Sequence, residues 1–171
     1  MRPPVATHAR LPFLVATIGL LLAASPARAG HYDLSSIDLF EEAAVSRLAS
    51  MKVFTTQDLW EATRTPAKVK ATARRSGLAQ ARLRDLHELC DLLWIDGIGP
   101  KVARVLTTAG VKNLAALARQ EPIALADLIK ETNRKVEILG KLPDPDTTRS
   151  WIEQAKARIK AGARPIAPSH P

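Results

Sequence analysis

A chain of 171 residues with 46% apolar and 25% charged residues is long enough for one packed domain or two very small ones, and its composition excludes wholesale disorder and a polytopic membrane protein. Its 4% aromatic content favours helices over sheets, because strands draw on aromatic and β-branched residues. One Cys excludes an internal disulfide, no Cys/His spacing suggests a zinc site, and the formal charge of +8 admits anionic partners.

Arg2, His8 and Arg10 precede the apolar run Leu11–Ala24, which ends in Ser25-Pro26-Ala27-Arg28-Ala29 with small residues where a signal peptidase cuts. That run is shorter than the about 20 residues that span a bilayer as a helix, so a cleaved signal is favoured over a retained anchor. The cut is expected after Ala29, leaving a periplasmic or secreted chain from Gly30 with no membrane span. Residues 1–29 carry Arg2, Arg10 and Arg28 and no acid, so the mature chain stays basic, though less so.

Residues 30–36 form a short N-terminal segment. Ser35-Ser36 reads as an N-cap before Ile37, Phe40, Ala44 and Leu48, an apolar stripe at helical spacing that predicts a helix over 37–50. Thr55 or Thr56 caps a short helix with Leu59 and Trp60. Thr65-Pro66 opens the next, since Pro at the first helical position loses no hydrogen bond, and Gly77 stops it. A longer helix carries Leu83, Leu86, Leu89, Cys90 and Leu93 up to Trp94.

Ile95-Asp96-Gly97-Ile98-Gly99-Pro100 breaks that helix and opens another, which Gly110 ends. A short helix with Leu117 follows, then one from Glu121-Pro122 with Leu125, Leu128 and Ile129. After Leu142-Pro143-Asp144-Pro145, Asp146 is expected to cap the last helix, with Trp151, Ile152, Ala155 and Ile159 as its apolar stripe. Residues 161–171 are a Pro-rich tail without periodicity, expected to be disordered.

An imperfect repeat runs through this pattern. Leu48, Met51, Val53 and Leu59 align with Leu106, Ala109, Val111 and Leu117; further on, Leu86 aligns with Trp151 and Cys90 with Ala155. Where the second half has Gly97-Ile98-Gly99, the first has Leu39-Phe40-Glu41. The expectation is an all-α domain over 37–160 made of two units, about 37–94 and 95–160, packed as a pseudo-two-fold pair.

Gly-Ile-Gly between helices has a physical reading: the glycines permit positive φ and close approach, Ile98 plugs the corner, and the helix from Pro100 presents free N–H groups. In this the sequence resembles the helix-hairpin-helix fold. Residues 37–160 are similar to a bacterial family of tandem helix-hairpin-helix units catalogued as a domain of unknown function. The hairpin over Ile95–Val102, Leu106–Leu117, Leu142-Pro143 and Trp151-Ile152-Glu153-Gln154-Ala155-Lys156 carry that resemblance. It implies a fold in which such a hairpin commonly sits on a nucleic-acid phosphate, and no catalytic residues.

Candidate anion contacts are Gly97, Ile98 and Gly99, with Lys101, Arg104 and Lys112 adding charge. Against them stand Glu41, Glu42 and Asp96, so the plainer reading is a tight interhelical corner. A second candidate is the stretch with Arg64, Lys68, Lys70, Arg74, Arg75, Arg82 and Arg84 and no acid, a basic face for a phosphate backbone or an anionic envelope surface. Its plainer reading is a solvated helix face, and no aromatics interleave to stack bases.

His87 and Cys90 lie three apart on one helix, but no further ligands stand out; Cys90 reads as a buried structural thiol. Asp144 and Asp146 read as capping groups, and Trp60, Trp94 and Trp151 as core. No nucleophile elbow, phosphate loop, dinucleotide fingerprint or zinc-protease helix is present. The expectation is therefore a non-catalytic binding protein without cofactor or metal. Its partner is an envelope protein engaged through the groove between the units, or alternatively the nucleic-acid backbone, in DNA handling or uptake.

Overall fold

A computed structural model describes residues 31–162. The segment expected to be a signal and most of the expected disordered tail, the residues after 162, lie outside the described residues. Eight helices are described: α1 Glu42–Ala49, α2 Thr56–Thr63, α3 Pro66–Ser76, α4 Gln80–Leu93, α5 Pro100–Thr108, α6 Leu114–Ala118, α7 Pro122–Val136 and α8 Pro145–Lys160. No strand occurs among the described residues; one isolated antiparallel bridge joins Asp33 to Thr55. The fold is all-α.

Local chemistry sets most of the boundaries. Thr55 accepts the Asp58 N–H, and the Asp58 carboxylate takes the Thr55 N–H in return, a capping box that opens α2. Thr65 accepts the Lys68 N–H ahead of Pro66, and Gly77, at φ 70°, closes α3 with its N–H on the Ala73 carbonyl.

Two expected boundaries move. The first helix starts at Glu42, not 37: Asp33 accepts both the N–H and the hydroxyl of Ser35, and the Ser36 hydroxyl donates to the Asp33 carbonyl. These local bonds spend the two serines on a turn instead of a cap. Ile37 and Phe40 still reach the core, but from that turn. At the other end Asp144, not Asp146, caps α8, accepting the Thr147 N–H at 2.7 Å. Pro145 explains the shift, because its fixed φ and missing N–H suit the first helical position and make the preceding residue the cap.

The second half repeats local features of the first. Val53 donates to the Leu48 carbonyl after α1, and Val111 to the Leu106 carbonyl after α5. The residue before each valine is left-handed: Lys52 at φ 63°, Gly110 at φ 89°. Two residues past each valine an N-cap follows, Thr55 for α2 and Asn113 for α6. Both α3 and α7 begin with Pro and end on a left-handed residue, Gly77 and Glu137.

α2 packs on α3 and α4, α6 and α7 pack on α8, and α4 meets α5 and α6. One core runs through both halves, with Leu48, Leu59, Leu83, Leu106, Leu117 and Leu125 sealed from solvent. Each such side chain contributes about 1.5–3 kcal/mol through burial. Buried hydroxyls are spent on neighbouring backbone: Thr72 donates to the Ala62 carbonyl and Thr148 to the Pro122 carbonyl, tying α3 to α2 and α8 to the start of α7.

Candidate functional site

The Gly97 hairpin forms the corner between α4 and α5. The Ile98 N–H closes a turn on the Ile95 carbonyl at 3.0 Å, and both isoleucines are buried, as a plug requires. The glycines play different parts. Gly97 is left-handed at φ 86°, and a Cβ there would lie 2.8 Å from the Trp151 indole Nε1. Gly99 is the N-cap of α5 with φ −85° and ψ 178°, ordinary extended backbone, so its expected positive φ is not found. Gln154 of α8 grips the hairpin: its Oε1 accepts the Asp96 N–H at 2.8 Å.

Of the charges expected there, Lys101 and Arg104 reach one cleft and Lys112 does not. Lys101 and Arg104 line a cleft of about 440 Å³ with Ser36, Ile37, Asp38, Leu39, Pro100 and Ile138. Lys112 follows the C-terminal end of α5 and lines another cleft, beside Asp85, Glu88 and Arg82. Arg104 is also not free: its Nη1 lies 2.6 Å from the Asp38 Oδ2. Pro100 supplies no N–H. Among the described residues, an anion at the hairpin would therefore meet one cation without an ion pair, Lys101, beside the exposed Asp96.

The basic face is similarly thinned. Glu61 pairs with Arg64 at 3.3 Å and with Lys68 at 3.6 Å, and Glu41 pairs with Arg82 at 3.2 Å. Lys70, Arg74, Arg75 and Arg84 have no ion pair among the described residues; the first three are exposed on α3 and Arg84 is half-buried on α4. An acid-free stretch of sequence is thus not an acid-free surface, since Glu61 and Glu41 arrive from neighbouring elements.

A cluster that the sequence reading missed lies between α2, α4 and α8. Asp91, 4% exposed, accepts the Trp60 indole N–H at 3.0 Å, faces the His87 Nε2 at 3.6 Å and has Arg158 at 3.6 Å on its other side. His87 stacks on Trp60, and its Nδ1 lies 2.9 Å from the Thr63 hydroxyl. Arg158 covers the Trp94 ring, which also packs on His31. Burial pulls the His87 pKa below its ordinary value, although the Asp91 charge opposes the shift. Thr63, His87 and Asp91 stand in the order hydroxyl, imidazole, carboxylate, but a nucleophile must be reachable and this hydroxyl is fully buried. The signal for the cluster was the spacing of four between His87 and Asp91 on one helix.

Burial pushes the Cys90 thiol up, with Asp91 adding to the effect. Among the described residues, no group of three or more His, Cys, Asp or Glu side chains is placed to hold a metal ion, and no helix is long and apolar enough to cross a membrane.

The family model for a domain of unknown function, DUF4332, matches residues 39–158, and the chain belongs to that family. Comparison with curated proteins and with solved structures gave no match.

Proposed function

We propose that this chain is an exported, non-catalytic protein-interaction module built from two helix-hairpin-helix units in pseudo-two-fold arrangement. The repeated turns after α1 and α5, the matching N-caps Thr55 and Asn113, and the Gly97 corner support the tandem architecture. The observation that carries the interaction reading is the cleft between the first unit's Ser36–Leu39 turn and the second unit's α5. It is concave and walled by Ile37, Leu39, Pro100 and Ile138. A photocrosslinking residue at position 101 of the full chain tests it. One discrete protein adduct is expected from position 101 and none from position 70 on α3; equal yields at both would defeat the reading. Export is checked separately by mass spectrometry of protein recovered outside the cytoplasm, which should begin at Gly30.

A second reading, binding along a nucleic-acid backbone, is favoured by Lys70, Arg74, Arg75 and Arg84, which have no ion pair among the described residues. Fluorescence anisotropy with duplex DNA at low and moderate salt would give binding that weakens steeply with salt and is lost in Lys70→Glu/Arg74→Glu. No binding at low salt removes it.

A further inference from the structure

We infer that the cleft beside the Gly97 hairpin takes a peptide segment in which a carboxylate is flanked by apolar side chains. This rests on the interaction reading above and adds the chemistry of the partner. The walls are apolar: Ile37 and Leu39 from the N-terminal turn, Pro100 from α5 and Ile138 from the loop before α8. Its charged lining is Lys101, Arg104 and Asp38, an excess of one positive charge.

One carboxylate already meets Arg104: the Asp38 Oδ2 lies 2.6 Å from its Nη1. That pair is open to water, with the Asp38 side chain 90% exposed and the Arg104 side chain 41%. Exposed pairs contribute little, so exchanging Asp38 for an incoming carboxylate costs little. Lys101, exposed and without an ion pair among the described residues, gives that carboxylate a second cation. Apolar neighbours of the incoming acid then cover the exposed edges of Leu39, Pro100 and Ile138, which supplies the affinity that the charges alone lack.

The test is selection of a displayed random twelve-residue peptide library on the full chain, followed by titration of the enriched peptides against surface variants. Enriched peptides are expected to carry Asp or Glu next to Leu, Ile or Val. Their affinity should fall about tenfold in Lys101→Gln/Arg104→Gln and rise about threefold in Asp38→Asn, which releases Arg104. All three positions are at least partly exposed, and circular dichroism of each variant verifies its fold. Peptides that compete at the cleft but lack an acid, or that bind Asp38→Asn no better, would overturn the inference and leave the interaction reading standing. Recovery of no cleft-dependent peptide would overturn both.

Discussion

Trp60 on α2 and Asp91 on α4 are joined by a 3.0 Å hydrogen bond from the indole N–H to a carboxylate 4% exposed to solvent. Arg158 brings α8 to the same carboxylate, so one acid links three helices. Asp91→Ala would leave the indole N–H without its acceptor and Arg158 without its counter-charge, at a cost of about 3 kcal/mol. Asp91→Asn keeps an acceptor for Trp60 and should cost about half as much. Urea midpoints of the two variants check this, and equal losses would contradict it.

His87 makes stability depend on pH in a defined sense. Its folded pKa lies below the ordinary value of 6.5, so between the two values the unfolded chain binds the proton and the folded chain does not. The contribution is fully present above about 6.5 and is lost as pH falls through the folded pKa. Urea midpoints should therefore drop from pH 7.5 to 5.5, and the drop should shrink in His87→Gln.

The two hairpin glycines should respond differently to a methyl group. Gly97→Ala combines a left-handed φ with a 2.8 Å approach to the buried Trp151, and is expected to cost about 2 kcal/mol or more. In Gly99→Ala the new Cβ meets only the Tyr32 hydroxyl, at 3.7 Å, and stability should change by less than about 0.5 kcal/mol. Thermal melts distinguish them.

Lys52 and Gly110 close α1 and α5 with the same left-handed backbone, but only one is glycine. Lys52→Gly relieves the strain of a side chain at φ 63° and should stabilise by about 0.5 kcal/mol, after the entropy of a freer unfolded chain is subtracted. Gly110→Ala meets no atom within 4 Å, so its expected cost of about 1 kcal/mol is purely backbone. A stabilising Gly110→Ala would show the turn to be unstrained.

Cys90 is sealed from solvent and its thiol pushed up by burial, so the thiolate is scarce. Ellman's reagent should label the native chain only at its unfolding rate. Rapid native labelling would mean that α4 opens locally.

Helix edges were legible where one residue type has one local use. Thr65 and Gly77 did at their boundaries what their chemistry favours, and of the two candidates Thr55 and Thr56 the cap is Thr55. Boundaries were misread where two neighbours compete for one role: Ser35 and Ser36 lost the cap to the Asp33 turn, and Asp146 lost it to Asp144. At the aligned positions Leu48 and Leu106 the same turn hydrogen bond recurs, from Val53 and from Val111. The candidate site was harder to read. Its charges are set by pairs distant in sequence, Glu41 with Arg82 and Asp38 with Arg104, and no local pattern reveals that those basic residues are already engaged.

The hairpin depends on a helix made much later. Trp151 fills the space that a Gly97 side chain would need, and Gln154 holds the Asp96 backbone, so both supports of the corner come from α8. During synthesis the corner emerges well before its supports. Chains stopped short of Trp151 should leave α5 without a fixed entry angle, and the cleft that Pro100, Lys101 and Arg104 line would then lack one fixed wall.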